Sequence, residues 1–154
     1  MLSAAVSAPV EHAAIARLVP HGGAMCLLDR ALFWDETRIL CESARHRGAA
    51  NPLRRDGMLP AICGLEFAFQ AMALHGALRA GEAQGVGFVS SLREVTLGVE
   101  RLDDIAAMLR IEAEALVAEP GGFIYRFDIS AEGCSLLAGQ AAVILPDRRR
   151  GVPA

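Results

Sequence analysis

Two side chains in this sequence have both the chemistry and the setting to move protons. His21 lies in a Pro-His-Gly-Gly turn, and Glu66 lies in the first two turns of a strongly apolar segment. A histidine and a carboxyl group can together remove one proton from a substrate and deliver another. Each also has a structural interpretation, His21 as a solvated turn residue and Glu66 as a partner of the helix dipole. Burying a carboxylate beside Leu65, Phe67 and Phe69 is costly unless it is hydrogen-bonded or protonated. We therefore expect Glu66 to be a largely buried functional residue.

A long helix must position Glu66. Pro60 suits a first helical turn and Gly81 suits a C-terminal stop, so we predict a helix from Pro60 to about Ala80. Its apolar residues point all round the axis: Ile62, Leu65, Phe67, Phe69, Met72, Leu74 and Leu78. A helix that is apolar on every side is buried on every side. Since we find no convincing membrane span, the rest of the protein or its dimer must cover this helix.

Strand patterns flank the helix on both sides. Glu11 to Leu18 is a short helix candidate, and the strand candidates are Met25 to Trp34, Arg38 to His46, Val86 to Val99, Ile105 to Ala118, Gly122 to Ala131 and Ser135 to Leu145. The fourth and fifth of these strands alternate apolar and polar residues, which indicates a sheet with one buried and one wet face. A curved antiparallel sheet wrapped around one central helix satisfies these patterns, so we predict an α+β protein with the hotdog fold.

Two stretches resemble motifs of the β-hydroxyacyl-acyl-carrier-protein dehydratases. Pro20 to Arg30 is similar to their Pro-His…Leu-Leu-x-Asp-Arg signature, with Pro-His and Asp-Arg at matching distance and the Leu pair one residue late. Pro60 to Gln70 resembles their central helix, Pro-x-x-x-x-x-Glu-x-x-x-Gln. The stretch from Pro52 to Gly57 lacks their His-Phe-Pro-Gly-x-Pro loop, and Ala61 replaces a usual Gly. These departures resemble a divergent branch associated with aryl polyene biosynthesis.

The resemblance implies a site and a reaction. His21 and Glu66 would form a catalytic pair across a dimer interface. His21 would take the proton α to the thioester carbonyl, and Glu66 would protonate or position the departing β-hydroxyl, giving a trans-2-enoyl thioester. Backbone N–H groups near Cys63 and Gly64 would receive the charge on the thioester oxygen. The substrate would be carried on phosphopantetheine, with no other cofactor and no metal.

Further residues are candidates for support and docking. Gln70 lies one turn after Glu66 and is expected to hydrogen-bond it. Asp29 and Arg30 are expected to form a pair that fixes the His21 turn. Four arginines surround the loop before the helix: Arg45, Arg47, Arg54 and Arg55. They form either a solvated surface or a docking patch for an acidic carrier protein or its phosphopantetheine.

Composition limits the possible classes of protein. The 154 residues suit a single domain over 1–154, with a flexible arm over 1–10 and a basic tail over 147–154. A net charge of −3 argues against nonspecific nucleic-acid binding. All 15 basic residues are arginine, which excludes a lysine Schiff base. Four cysteines without C-x-x-C spacing and a poor signal sequence suit the reducing cytoplasm. His75, near the end of the helix, suits a dipole role.

Three functions remain open from the sequence. The leading hypothesis is a dehydratase that acts on thioesters of an acyl carrier protein. The second is an acyl thioesterase on the same fold, in which a helix carboxylate activates water. The third is an inactive structural subunit of a hotdog heterodimer. Exposed sheet edges also predict a dimer, either with a second copy or with another hotdog subunit.

Overall fold

A long antiparallel sheet and one long helix make up most of the computed structural model, which describes residues 8–20, 22–83 and 87–145. In chain order the elements are β1 (Val10–Glu11), α1 (His12–Leu18), β2 (Arg30–Trp34), β3 (Arg38–Ser43), α2 (Gly64–Ala80), β4 (Phe88–Leu97), β5 (Leu109–Glu119), β6 (Gly122–Ala131) and β7 (Cys134–Ile144). Within the described residues, seven strands pair antiparallel in the order β1-β2-β3-β5-β6-β7-β4. This arrangement, with α2 packed against the sheet, confirms the predicted α+β hotdog fold.

The sheet covers α2 on one side only. Nine of the seventeen residues of α2 are buried, among them Phe67, Leu74 and Ala77. Leu65 and Phe69 pack against the core but stay partly exposed. The predicted helix is present, but its first turn over Ala61–Cys63 is 3₁₀ and α2 begins at Gly64, and a single protomer covers only part of its apolar surface.

The start and the end of α2 are fixed by backbone contacts. A 3₁₀ turn, Ala61–Cys63, precedes the helix, and the Ala61 N–H donates to the carbonyl oxygen of Glu100 at 2.9 Å. Gly81 ends the helix with φ 75°, a left-handed conformation that favours glycine, and its N–H donates to the carbonyl of Ala77. A side chain at Gly64 would place its Cβ 2.8 Å from Leu137 Cδ2, so glycine lets the helix start approach the sheet.

Several predicted boundaries are wrong. The predicted strand from Met25 to Trp34 is instead a 3₁₀ turn over Gly23–Met25, a stretch outside regular structure, and only then β2. The residues Cys26, Leu27 and Leu28 are all buried, so this stretch lacks the alternation of a half-buried strand. Likewise β3 ends at Ser43, and β5 begins at Leu109 because Ile105 closes a turn with Leu102.

The ends of the chain were only partly predicted. Val10 and Glu11 pair with β2, so the last residue of the predicted arm and the first of the predicted helix form a short edge strand. The predicted start of β4 at Val86 lies outside the described residues, as do 1–7 and the basic tail over 147–154. The single-domain organisation stays a prediction.

One helical stretch passes a simple test for a membrane span. Ala61–Ala80 is long and apolar enough by length and composition, with a mean hydropathy of 1.3. The buried part of this window is 61%, and its residues form the core of the domain. A core helix has the same properties, so the stretch is weak evidence for a membrane.

Candidate active site

A cavity of about 630 Å³ lies between α2 and the strands beside it. Along the helix, its lining residues run from Glu66 to Ala80, which spans about 20 Å at 1.5 Å per residue. The wall is mostly apolar and includes Leu18, Phe69, Met72, Ala73, Val89, Phe123, Val143 and Leu145. This shape and lining suit a long apolar ligand.

Glu66 lines this cavity from the first turn of α2. Its side chain is partly exposed, so the predicted deep burial is not present in a single protomer. Pro20 lines the same cavity, which brings the residue before His21 to the same space. His21 itself lies outside the described residues. A carboxyl group on an apolar cavity wall can donate a proton to a ligand held there or accept one from it.

Gln70 holds the segment that follows His21. Its Oε1 accepts from the Leu27 N–H at 2.8 Å, and its Nε2 donates to the Met25 carbonyl oxygen at 2.6 Å. Gln70 is fully buried, and its bond to the Leu27 N–H lies where water does not compete. The predicted hydrogen bond from Gln70 to Glu66 is wrong, since the amide is turned toward this segment.

Asp29 also acts on this segment, with a partner that was not predicted. Its Oδ1 lies 2.7 Å from Nε of Arg45, and its Oδ2 accepts from the Ala44 N–H at 2.7 Å. The expected Asp29–Arg30 pair does not form, because Arg30 turns to Glu11, with Nε 3.1 Å from Oε1. Asp29 therefore joins the start of β2 to the end of β3, and the charge of Arg45 is paired within the protomer.

The predicted oxyanion donors at the helix start are already bonded. The Cys63 N–H donates to the Pro60 carbonyl at 3.0 Å, and the Gly64 N–H points to the carbonyls of Ala61 and Ile62. These are bonds of the 3₁₀ turn, which satisfies N–H groups that an α-helix would leave free. The expectation that Cys63 and Gly64 offer free donors is therefore wrong.

The remaining arginines of the loop differ in their engagement. Arg54 donates to the carbonyls of Arg47, Gly48 and Gly57, so it holds the loop together. Arg55 donates to the Pro52 carbonyl at 3.1 Å and is exposed. Its charge also acts on the Cys63 thiol, whose pKa is raised mainly by burial. The loop thus lies close to the helix start that carries Glu66.

Arg47 is the other exposed arginine of this loop, and no ion pair involving it is found among the described residues. Arg54 and Arg55 also form no ion pair among the described residues, and of these three arginines Arg47 and Arg55 are the exposed ones, so they are the members of the predicted patch most open to an anionic partner.

A buried hydrogen-bonded pair behind the cavity was not predicted. His75 Nε2 lies 2.8 Å from the Asp35 carbonyl oxygen, and its Nδ1 lies 2.8 Å from the Tyr125 hydroxyl. Because a carbonyl only accepts, Nε2 carries the proton of the neutral ring, and the Tyr125 hydroxyl donates to Nδ1. Burial lowers the pKa of His75 and raises that of Tyr125 to about 12, so both stay neutral near pH 7.

This pair corrects the dipole role expected for His75, which is fully buried. The sequence contained one indication of the hydrogen bond between His75 and Tyr125. Tyr125 occupies an inward position of the alternating strand β6, and a buried tyrosine hydroxyl requires a hydrogen-bond partner. Only the fold reveals that the partner is on α2.

The far end of the cavity is charged. Arg79, Glu36 and Glu119 line it, and Arg79 Nη2 lies 3.6 Å from Glu36 Oε2. The Glu36 side chain is 86% exposed, so this end meets solvent. Within residues 8–20, 22–83 and 87–145, no group of three or more His, Cys, Asp or Glu side chains could hold a metal ion.

Replacing Gln70 with Met should loosen the segment after His21. The change keeps the side-chain length but leaves the buried Leu27 N–H and the Met25 carbonyl without partners, so we expect a loss of about 1–3 kcal/mol of unfolding free energy. Urea denaturation measures this loss, and hydrogen exchange should show faster exchange at the Leu27 amide. Gln140→Met, at a partly exposed position on β7, is the control. Unchanged protection of Leu27 would contradict the role of Gln70.

The buried histidines predict loss of stability in mild acid. The pKa values of His46 and His75 are lowered from 6.5 by burial, so the unfolded chain takes up these protons first as the pH falls. Stability is then present above about pH 6.5 and lost as the pH falls toward the folded-state pKa values. His75→Gln should reduce the slope of unfolding free energy between about pH 6.5 and 5 by up to about 1.4 kcal/mol per pH unit. An unchanged slope, measured by denaturation across this range, would show that His75 is not held neutral.

Comparison with known proteins agrees with this fold. The profile of the ApeP-like family, described as ApeP dehydratase, matches residues 13–152. The dehydratase heterocomplex ApeI:P from Xenorhabdus doucetiae is similar with a TM-score of 0.76 and 21% identity, over 88% of this chain and 92% of that chain. No curated protein sequence matches significantly.

More distant structures share the fold alone. The uncharacterized protein PH1136 from Pyrococcus horikoshii has a TM-score of 0.57 and 12% identity, over 79% of this chain and 85% of its own. A hypothetical thioesterase with coenzyme A from Streptococcus pneumoniae has a TM-score of 0.56 and 10% identity, over 75% and 84%. The family profile spans nearly the whole chain, and it confirms the resemblance to dehydratases. The chain belongs to the ApeP-like family of hotdog-fold dehydratases.

Proposed function

We propose that this chain dehydrates β-hydroxyacyl thioesters of an acyl carrier protein to trans-2-enoyl thioesters. Membership of a dehydratase family supports the reaction class. The position of Glu66 supports the specific reaction, because its carboxyl group lies on the wall of a long apolar cavity that Pro20 also lines. The thioester would lie near Glu66, and the acyl chain would follow α2. Each methylene buried there contributes about 0.8 kcal/mol to binding.

The proposed chemistry needs one base and one acid. The His21 imidazole removes the proton from the α-carbon, and the released electron pair forms the double bond between the α- and β-carbons. The bond from the β-carbon to its hydroxyl oxygen breaks as Glu66 donates a proton to that oxygen, and water leaves. Such acid–base assistance contributes about 10²–10⁴-fold. No cofactor beyond the phosphopantetheine that carries the substrate enters this scheme.

We propose that a second hotdog subunit completes the site. Strand β4 pairs only with β7 and leaves its other edge open among the described residues. Its apolar side chains are unusually exposed, with Phe88 at 61%, Leu97 at 51% and Leu92 at 41%. An open, apolar edge strand is a pairing surface. Both a second copy and a different subunit fit it. The similarity to a dehydratase heterocomplex favours a different subunit.

We propose Arg47 and Arg55 as contacts for the carrier protein or the phosphate of its phosphopantetheine. Both are exposed on the loop that lies against the helix start near Glu66. A guanidinium binds phosphate through paired N–H donors. A carrier bound there would place its thioester near the carboxyl group.

Glu66→Gln and His21→Ala should each lower dehydration by about 10²-fold or more. Glutamine keeps the shape of Glu66 but cannot donate a carboxylic proton, and alanine removes the base. The assay follows formation of the enoyl thioester by absorbance, with the protein alone and mixed with a hotdog partner. Glu112→Gln on β5, where Glu112 pairs with Arg38, is the matched control and should stay active. In a homodimer, mixing the two inactive variants should restore part of the activity if each site combines both chains.

Two results would contradict this proposal. Wild-type protein that releases free acid and never forms an enoyl product is a thioesterase. Wild-type protein that does neither, alone or with a partner, is a structural subunit.

The double change Arg47→Glu and Arg55→Glu should raise KM for the substrate on the carrier protein by about tenfold, because two attractive charges become repulsive. Turnover of the same acyl group on free pantetheine should be unchanged, since that substrate has no carrier surface and no phosphate. The double change Arg17→Glu and Arg110→Glu, at exposed positions on α1 and β5, alters the net charge equally and is the control. A similar rise in KM for both substrates would contradict carrier docking by these arginines and would show that the substitutions disturb the cavity.

A further inference from the structure

Gly76 is a glycine in the interior of α2 without a packing reason. Glycine is the least favourable residue there apart from proline, because it loses the most backbone freedom on folding. A Cβ built at Gly76 meets no atom within 4 Å. Gly64 on the same helix differs, since a Cβ there would lie 2.8 Å from Leu137 Cδ2. Packing within the protomer therefore explains Gly64 and leaves Gly76 unexplained.

The open space beside Gly76 is the cavity itself, since Gly76 is one of its lining residues. Phe123 and Tyr125 of β6 line the same cavity, with ring centroids 5.9 Å apart. The Tyr125 hydroxyl is held by His75 at 2.8 Å, and His75 is held in turn by the Asp35 carbonyl. The bond between His75 and the Tyr125 hydroxyl is buried, so the Tyr125 ring cannot swing aside without leaving a buried polar group unpaired. The sheet wall is thus fixed in place, and the helix wall has no side chain at position 76.

We infer that Gly76 is a specificity-determining residue for the acyl chain. The chain runs along α2 away from Glu66 and passes Gly76, where the missing side chain provides the clearance. This inference rests on the proposed function and deepens it, because it assigns the cavity to long acyl chains and names the residue that admits them.

The position of Gly76 separates long substrates from short ones. Gly76 follows Glu66 by ten residues, which is about 15 Å along the helix axis. An extended alkyl chain with C–C bonds of about 1.5 Å is a zigzag that advances about 1.25 Å per bond, so a β-hydroxybutyryl chain extends only about 1 Å beyond its reacting carbons and a β-hydroxyhexadecanoyl chain about 16 Å. Only the long chain reaches Gly76, so only its turnover depends on this residue.

The test compares Gly76→Ala and Gly76→Leu with wild type on β-hydroxybutyryl and β-hydroxyhexadecanoyl thioesters of the carrier protein, in the assembly that is active. We expect Gly76→Ala to lower the long-to-short ratio of kcat/KM by about tenfold, the effect of one methyl group in a filled apolar pocket, and Gly76→Leu to lower it further. The short substrate should be turned over as by wild type. Gly76→Ala should also raise Tm, since alanine favours the helix and its Cβ meets nothing.

Gly121→Ala is the matched control. A Cβ at Gly121 also meets nothing within 4 Å, and Gly121 does not line the cavity. Its long-to-short ratio should equal that of wild type. If Gly76 had only a structural role, its substitution would lower Tm and would reduce kcat/KM for both substrates together.

The outcomes separate this inference from the function on which it rests. Wild type that dehydrates neither substrate, alone or with a partner, contradicts the proposed function. Wild type that dehydrates the short substrate and never the long one, or a Gly76→Leu variant with an unchanged ratio, contradicts the role of Gly76 while dehydration stands.

Discussion

The structure depends on one constraint, that a helix apolar on every side must be covered on every side. The single sheet covers only the face of α2 that it contacts, which includes the buried residues Phe67, Leu74 and Ala77. The strands β7 and β4 continue beyond the helix, and β4 is almost wholly exposed. The space left between the helix and these strands is the cavity. The same geometry that leaves the apolar side chains of β4 uncovered therefore also creates the cavity.

Burying a polar side chain on an apolar helix costs desolvation free energy, so each polar residue of α2 needs a compensating interaction or a function. Gln70 binds the backbone of Met25 and Leu27, and His75 joins the Asp35 carbonyl to the Tyr125 hydroxyl. Both are buried and satisfied, and they fix the surroundings of the cavity. Glu66 is different, because it faces the cavity and remains partly exposed. A carboxyl group left open to a ligand space on such a helix is a group available for chemistry.

The sequence predicted what depends on periodicity and missed what depends on contacts between distant residues. The all-round apolar pattern located α2, and alternation located β5 and β6. The stretch after His21 could not be recognised as irregular, because its hydrogen bonds come from Gln70, more than forty residues away. Asp29 was expected to pair with its neighbour in sequence. The antiparallel turn between β2 and β3 brings it to Arg45 instead, so only the fold selects the partner.

The oxyanion expectation failed for a local reason that also bears on the mechanism. An ideal α-helix beginning at Pro60 would leave its first N–H groups free, and the 3₁₀ turn over Ala61–Cys63 consumes those of Cys63 and Gly64. Directly after this turn, Gly64 lies so close to Leu137 that a Cβ would be 2.8 Å from Leu137 Cδ2. The helix start is thus built for packing against the sheet. In the proposed reaction, charge on the thioester oxygen must then be met by donors other than these two N–H groups, and the proposed second subunit is one source of them.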